Sequence, residues 1–365
     1  MSDDLMNEIA AAKDKSSIIM VVGVGGAGGN AVNHMWNLGI KDVGFMVCNT
    51  DAQALDNSPV EEKVQLGREG LGAGNDPENG RKAAIESLDD IRRRLEAAGT
   101  RMLFVTAGMG GGTGTGASPV IAKLAHEMGI LTVGIVTSPL AVEGKIRYEQ
   151  AFRGIEELSR NVDSLLVINN ENIVEMYGRL SLKQAFGKAD DILASAAKGI
   201  AEIITVESDM VNVDFADVSK VMRDSGRAHM SVATAEGEHR AAEVARTSLE
   251  SPLLDHTLIS GAKNILLNIS TSDADSLALD EVMEILKYIQ SHASVQAPDG
   301  TVHDANIIWG TSVKPQLWRR DSTARRSSAP RNRSSRPPTS SPRSPAKRTR
   351  CSNRSNRAPC RRCGP

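Results

Sequence analysis

The sequence has few aromatic residues and no long apolar run. Phe, Trp and Tyr make up 3% of its 365 residues, whereas 40% of the residues are hydrophobic, so the cores must be mainly aliphatic. No run reaches the roughly 20 apolar residues of a membrane-spanning helix, and the N-terminus, MSDDLMNEIAAAKDK, lacks the features of a signal peptide. Only Cys48 of the four cysteines lies outside the C-terminal tail, which argues against a disulfide framework. We expect a soluble, cytoplasmic protein of about two domains.

The near-neutral net charge of −2 hides a strong asymmetry. Residues 319–365 contain 15 Lys and Arg and one acid, Asp321, so this tail carries +14 and the rest of the chain −16. Its Arg, Ser and Pro content predicts a disordered, solvated linker over 318–365, or an out-of-frame translation of one. A basic tail also suits anionic lipid or nucleic acid, but we expect no specific nucleic-acid partner. Residues 1–16 are polar and are expected to be flexible.

A glycine-rich stretch, Gly108–Gly116, lies between a predicted strand, Met102–Ala107, and a predicted helix. Pro119 suits the first turn of that helix. Backbone N–H groups and the helix dipole make such a loop a phosphate-binding site, to which two threonine hydroxyls can add donors. The loop lacks the lysine of a Walker P-loop, so backbone groups, hydroxyls, a metal ion and an arginine elsewhere must offset the phosphate charge. The expected contacts are Gly110, Gly111, Gly112, Thr113, Gly114 and Thr115.

A second glycine loop follows the predicted strand Ser17–Val22. Gly23, Gly25 and Gly28 fit the dinucleotide fingerprint G-x-G-x-x-G. This motif alone is weak evidence, because it is equally typical of an NAD(P)-dependent oxidoreductase, which is the alternative function. The loop at Gly110 favours a different class, since a nicotinamide domain does not need a second phosphate cradle. A nucleotide-binding scaffold without activity is a third alternative.

The remaining pattern alternates strands with helices. Strands are predicted at Phe45–Cys48, Ile130–Val136 and Asp163–Ile168, and helices at Asn79–Ala97 and Leu182–Thr205. This alternation predicts an α/β fold with a parallel sheet. In the C-terminal half, a helix at Asp280–His292 and a strand at Ala305–Gly310 are also predicted.

The GGGTGTG sequence of Gly110–Gly116 resembles the signature loop of the tubulin superfamily. With the motifs below, residues 17–312 resemble FtsZ, the bacterial tubulin-like division GTPases. The resemblance implies a Rossmann-like parallel-sheet GTPase domain at 17–181, a long central connecting helix at 182–205, and a second, smaller α/β domain at 206–317. It also implies GTP hydrolysis and head-to-tail polymerisation into a ring at the mid-cell division site.

In this family three further segments contact the phosphates or sugar of GTP or GDP. The first follows the strand Ser17–Val22. The second is the NTDAQAL stretch, Asn49–Leu55, and the third is the GLGAG stretch, Gly70–Gly74, at the outermost phosphate. The resemblance places these contacts on Gly25, Gly26, Ala27, Gly28, Gly29, Asn30, Asn49, Asp51, Gly72, Ala73 and Gly74. Mg²⁺ is expected to bind through the phosphates, and no metal site built from side chains is expected.

The EGKIR stretch is similar to the family's EGKKR, with Ile146 in place of a lysine. The resemblance implies that Glu143 holds the ribose and that Arg147 lies near the phosphates. Without the resemblance, the two residues are equally typical of a solvated acid–base pair at the start of a helix.

Three residues are implied as contacts of the base. Asn170 matches the family's base-contacting asparagine, and Phe186 is expected to stack on the base. Asp190 can accept hydrogen bonds from N1–H and the exocyclic amine of guanine, a donor pair that adenine lacks. From the residues alone, a core phenylalanine and a solvated acid are the favoured interpretations.

The stretch Asn-Val-Asp-Phe-Ala-Asp resembles the family's hydrolysis loop, which implies catalytic roles for Asn212, Asp214 and Asp217. From the residues alone, Asp214 is equally typical of a helix N-cap and Asp217 of an acid in the first helical turn. The resemblance implies that this loop completes the active site of the next subunit. Division-ring adaptor proteins are further partners in the family, but neither their C-terminal binding peptide nor the usual final strand is recognisable here.

Overall fold

A seven-stranded parallel sheet forms the centre of the fold. The computed structural model describes residues 17–178, 181–205, 211, 213–250, 259, 261–272, 276–296 and 302–313. The strands are β1 (Ile19–Val24), β2 (Gly44–Asn49), β3 (Glu62–Gln65), β4 (Met102–Gly108), β5 (Leu131–Ser138), β6 (Ser164–Asn169) and β7 (Gly226–Ala228). Their order is β3-β2-β1-β4-β5-β6-β7. The order reverses between β1 and β4, and ligands of such sheets bind beside the carboxyl ends of the strands at that point.

Helices cover both faces of the sheet. They are α1 (Gly25–Asn37), α2 (Ala52–Asp56), α3 (Pro77–Glu86), α4 (Leu88–Ala97), α5 (Thr113–Glu127), α6 (Lys145–Ser159), α7 (Asn170–Tyr177), α8 (Leu182–Thr205), α9 (Phe215–Met222), α10 (Arg240–Leu249) and α11 (Leu279–Ala293).

Alternate residues of β1 enter different cores, because successive side chains of a strand point to opposite faces. Ile19 and Val21 pack in the core that includes α1 and α8, whereas Met20 and Val22 pack in the core that includes α4 and α5. The inner strands β1, β2, β4 and β5 are buried on both faces and are therefore almost continuously apolar.

A smaller group of elements contains β8 (Asn264–Thr271) and β11 (Asn306–Val313), which pair in parallel. The helices α10 and α11 pack through Ala241, Ala245, Ile285 and Ile289. Arg240 and Glu281 join the two helices by a two-pronged ion pair, with Nε–Oε1 and Nη2–Oε2 distances of 2.7 and 2.8 Å. A short ribbon of β9 (Val295–Gln296) and β10 (Val302–His303) completes the described elements of this region.

Two local predictions are wrong. The helix predicted over Asn79–Ala97 is two helices, α3 and α4, which meet at Ser87. The Ser87 hydroxyl accepts a hydrogen bond from the Gly67 amide (3.0 Å) and ties this junction to the end of β3. Pro119 is not in a first turn, because α5 begins at Thr113 and contains Pro119 in its interior.

Other predicted elements are confirmed. The central helix has the predicted bounds, Leu182–Thr205, and α11 and β11 lie at the predicted helix and strand. Residues 226–228, assigned to the second domain, form β7 and pair with β6 of the first sheet. The domain boundaries therefore stay predictions. No helix among the described residues is long and apolar enough to span a membrane.

Candidate nucleotide site and acidic loop

The two glycine loops lie side by side at the carboxyl ends of β1 and β4. Val24 at the end of β1 is paired in register with Ala107 near the end of β4. A Cβ atom on Gly25 would lie 2.8 Å from the Gly114 nitrogen, and a Cβ on Gly28 would lie 2.3 Å from the Thr106 carbonyl oxygen. Only glycine permits these approaches, which bring the two loops together as predicted.

Two helix N-termini point into the cradle that these loops form. Neither the N-cap of α1, Val24, nor that of α5, Gly112, provides a side-chain hydrogen bond to the first turn. The N–H groups of a first turn have no partner within their own helix, so both helices offer donors and a positive dipole end to an anion. A Cβ on Gly26, Gly29 or Gly111 would meet nothing within 4 Å, which leaves room for a ligand.

The threonine hydroxyls of the loop already have partners in the protein. Thr115 Oγ1 is buried and accepts a hydrogen bond from the Gly110 amide at 2.9 Å. Thr113 Oγ1 lies 2.6 Å from Thr50 Oγ1. The Thr115 hydroxyl accepts in this bond and keeps its own O–H as a donor, so the expectation that both threonine hydroxyls donate to phosphate stays a prediction.

The GLGAG stretch borders the cradle on a third side. The Gly72 amide donates to the Thr50 carbonyl at 3.2 Å, and the Ala52 amide donates to the Gly70 carbonyl at 3.1 Å. A Cβ on Gly112 would lie 2.8 Å from the Ala73 side chain. The predicted contacts Gly72, Ala73 and Gly74 are therefore brought to the glycine loop.

Asn49 and Asp51 shape the turn that follows β2. Asn49 is buried, and its Oδ1 accepts a hydrogen bond from the Asp51 amide at 3.3 Å. Asp51 Oδ1 caps α2 by accepting hydrogen bonds from the Gln53 and Ala54 amides at 2.9 and 3.3 Å. Both side chains hold the backbone beside the cradle.

Glu143 and Arg147 form an ion pair, with an Nη1–Oε2 distance of 2.8 Å. Glu143 also accepts a hydrogen bond from the Leu140 amide at 2.9 Å. The Arg147 carbonyl oxygen would lie 3.0 Å from a Cβ on Gly110, so α6 begins directly beside the loop. The Arg147 guanidinium is therefore paired with an acid next to the cradle.

One of the predicted base contacts has an unmet polar group. Asn170 Oδ1 is buried and has no hydrogen-bond partner among the described residues. Burial raises the pKa of Asp190 to about 6; His34 acts to lower this pKa and Asp191 to raise it further. A ligand that donates hydrogen bonds here would stabilise the Asp190 carboxylate. Guanine has the donors for this end of the site. The side chain of Phe186 lies outside the described part of the chain.

The acidic loop lies at the opposite end of the sheet. Asp214 and Asp217 are exposed, and Asp214 Oδ1 caps α9 by accepting a hydrogen bond from the Asp217 amide at 2.8 Å. The predicted N-cap role of Asp214 is thus confirmed, and its second carboxylate oxygen makes no bond in the described structure. Asn212 lies outside the described residues.

A cation–π contact fixes the position of this loop. The Arg101 guanidinium carbon lies 4.6 Å from the centre of the Phe215 ring. Arg101 directly precedes β4, and the glycine loop directly follows it. The seven residues of β4, at about 3.3 Å each, separate these points by roughly 20 Å. Asp214 therefore cannot contact a nucleotide bound in the same molecule. Sequence reasoning missed Arg101, since no local pattern marks its contact with Phe215.

Two family models match the chain. The model of the Tubulin/FtsZ family GTPase domain matches residues 18–178, and the model of the FtsZ family C-terminal domain matches residues 226–320. The chain belongs to the FtsZ family. The Cell division protein FtsZ of Porphyromonas gingivalis is 47% identical over 320 residues, which cover 87% of this chain and 68% of that protein.

Solved structures agree with this assignment. An empty FtsZ dimer of M. jannaschii is 36% identical, with a TM-score of 0.72, over 87% of this chain and 90% of that one. CetZ2 from Haloferax volcanii, solved as a GTPγS-bound protofilament, is 21% identical, with a TM-score of 0.66, over 81% and 89% of the two chains. This second likeness supports the fold alone.

These matches decide between the alternative functions. The predicted tubulin/FtsZ fold and GTPase class are confirmed, and the chain is a GTPase of the FtsZ cell-division family. The alternative of an NAD(P)-dependent oxidoreductase is wrong, because the fingerprint glycines at β1 belong to a GTPase domain.

Proposed function

We propose that the chain hydrolyses GTP in a site shared by two molecules. The glycine loops of one copy hold the nucleotide, and Asn212, Asp214 and Asp217 of a second copy supply the hydrolysis loop. The observation that carries this proposal is the separation of the two loops by the length of β4. A single molecule cannot bring its own Asp214 to its own cradle.

In this proposal the molecule whose glycine loops hold the nucleotide binds and orients GTP. The uncapped first turns of α1 and α5 bind phosphates. Arg147 releases its ion pair with Glu143 and contacts the phosphates instead. Asn170 and Asp190 recognise guanine through hydrogen bonds, and Phe186 stacks on it. Mg²⁺, bound through phosphate oxygens, would offset negative charge; in the described structure no cluster of three or more His, Cys, Asp or Glu residues could hold a metal ion.

The second molecule, which supplies the acidic loop, orients the attacking water. Phosphoryl transfer requires mainly positioning and relief of charge, and a carboxylate can hold a water molecule and accept its proton. Asp214 and Asp217 lie three residues apart at the start of α9, where such positions face the same side. The exposed Asp214 oxygen that does not cap α9 is available for this role.

Such a contact joins unlike surfaces and does not close on itself, so it generates a filament. We propose that these filaments build the division ring at mid-cell in the cytoplasm. Division-ring adaptor proteins of the family are further proposed partners of these filaments.

Complementation between two inactive variants tests the shared site. Asp214→Ala keeps the cradle and Asp190→Ala keeps the acidic loop, so each alone should hydrolyse GTP poorly. Their mixture should recover turnover, because the loop of the second variant can serve the nucleotide of the first. A mixture no more active than its components would contradict the proposal. So would a GTPase rate per molecule that is unchanged by dilution of the unmodified chain.

A further inference from the structure

A buried threonine, Thr50, occupies the turn between β2 and α2, directly beside the cradle. Only 5% of its surface is exposed. Its Oγ1 lies 2.6 Å from the Oγ1 of Thr113, the first residue of α5, and this distance is within the range of an O–H···O hydrogen bond. The hydroxyl pair therefore joins the turn after β2 to the glycine loop after β4, across 63 residues of sequence.

The backbone of Thr50 holds a second loop. Its carbonyl oxygen accepts hydrogen bonds from the Gly72 amide at 3.2 Å and from the Gln65 side-chain amide at 2.9 Å. Gly72 belongs to the GLGAG stretch, which is predicted to lie at the outermost phosphate. Thr50 thus contacts one phosphate-binding loop through its carbonyl group and the other through its hydroxyl group.

The hydroxyl pair has a direction that a bound phosphate would select. One hydroxyl of such a pair donates, and the accepting hydroxyl keeps its own hydrogen for a further partner. Phosphate oxygens accept hydrogen bonds, so Thr113 can donate to a phosphate while it accepts from Thr50. Thr50 then fixes the rotation of the Thr113 hydroxyl, and hydrogen bonds arranged in such a chain strengthen one another.

We propose that Thr50 is a positioning residue for GTP. It orients the Thr113 hydroxyl toward the phosphates and fixes the GLGAG stretch relative to the glycine loop, without contacting the nucleotide itself. This inference rests on the proposed function, in which the cradle holds GTP. Because GDP lacks the outermost phosphate, loss of the Thr50 hydroxyl should weaken the binding of GTP more than the binding of GDP.

Thr50→Val tests the inference, because valine has nearly the same shape but no hydroxyl. Both hydrogen bonds to the carbonyl oxygen of residue 50 remain. The affinity for GTP, measured by isothermal titration, should fall about fivefold, as for one lost hydrogen bond. GDP should bind nearly as before, which also shows that the variant is folded. Thr50→Ser keeps the hydroxyl and should bind both nucleotides like the unmodified chain. Equal losses for GTP and GDP, or no rescue by serine, would overturn the inference.

A double-mutant cycle shows whether Thr50 acts through Thr113. In a Thr113→Val background the acceptor is gone, so Thr50→Val should have no further effect on GTP affinity. Effects that simply add would contradict the positioning role. The control is Thr100→Val at the amino end of the sheet, since Thr100 is also buried and its hydroxyl has no hydrogen-bond partner among the described residues. It should bind GTP normally, and a similar loss there would mean that any buried hydroxyl gives the effect.

Thr113→Val on its own distinguishes a failure of this inference from a failure of the proposed function. If Thr113→Val weakens GTP binding and Thr50→Val does not, the positioning role is wrong and the cradle stands. If Thr113→Val binds GTP like the unmodified chain, the cradle lacks the threonine contact on which the inference depends, and both are wrong at this point. Neither measurement involves a second molecule, so the dependence of turnover on dilution still judges the shared hydrolysis site separately.

Discussion

The two candidate sites at the ends of the seven-stranded sheet are built from different parts of the chain. At the carboxyl ends of β1 and β4, the cradle consists of backbone, and its shape depends on glycines that pack against neighbouring backbone. At the amino ends, the acidic loop presents exposed side chains on a short helix. In the proposed shared site, nucleotide binding is therefore tied to the fold, whereas hydrolysis would depend on side chains whose replacement should leave the fold intact. The predictions below test this contrast, from the largest expected effect to the smallest.

Loss of the Asp214 carboxylate should have the largest effect. Asp214→Asn keeps an N-cap for α9, so the free energy of unfolding should change little. Turnover should fall roughly 100-fold or more, which is the usual contribution of a positioned acid–base group. GTP binding should not change. Steady-state turnover, nucleotide titration and urea unfolding measure the three quantities, and turnover near the unmodified rate would remove Asp214 from the mechanism.

A methyl group added at Gly28 should damage the fold itself. Its Cβ would lie 2.3 Å from the Thr106 carbonyl oxygen, so the backbone must move. We expect Gly28→Ala to lower the free energy of unfolding by about 3 kcal/mol, as overpacking does. The control is Gly29→Ala in the same helix, where the added Cβ meets nothing within 4 Å. That variant should be as stable as the unmodified chain in urea unfolding but bind GTP more weakly, because the methyl group enters the cradle.

Guanine recognition should depend on pH. Burial raises the pKa of Asp190 from 3.8 to about 6, whereas hydrogen bonds from guanine would favour the ionised form. Below pH 6, Asp190 must therefore lose a proton before GTP binds, and affinity should fall by up to about tenfold per pH unit. Fluorescence anisotropy of labelled GTP between pH 5 and 8 measures this.

Two variants test whether the pH dependence of GTP binding comes from Asp190 or from its charged neighbours, His34 and Asp191. Asp190→Asn should remove most of the pH dependence, and His34→Gln should retain it. A pH profile that Asp190→Asn leaves unchanged would show that another group titrates.

Arg147 should have the smallest effect. Its guanidinium is about half exposed and paired with Glu143, so its contribution to phosphate binding should be about 1 kcal/mol, as for exposed charge pairs. Arg147→Ala should weaken GTP binding roughly fivefold. Arg153→Ala, at an exposed position of the same helix, should not alter binding. Equal effects of the two variants would mean that net charge alone matters.

The parallel sheet and the cradle could be predicted because their signals are local. The strands β1 and β4 are apolar runs that lead into glycine loops, and a helix begins within or directly after each loop, at Gly25 and at Thr113. The break at Ser87 could not be predicted, since it depends on hydrogen bonds to β3, which is distant in sequence. Pro119 was misplaced because the helix incorporates the glycine loop itself.

Side chains that act across long sequence separations were harder to assign. Asp214 carries the same local pattern whether it caps a helix or also orients water, and only the family resemblance separates the two roles. The contact of Arg101 with Phe215 and the orphaned oxygen of Asn170 arise from tertiary packing. Neither leaves a periodic or spaced pattern in the sequence.

Because all strands of the sheet run in one direction, a filament of these molecules has two chemically different ends. Each internal GTP would be covered by the acidic loop of the following subunit. At one terminus, however, the last nucleotide faces solvent with no carboxylates above it. That single subunit would keep its GTP intact until another molecule arrives, so growth and hydrolysis would be offset by one subunit along the proposed polymer.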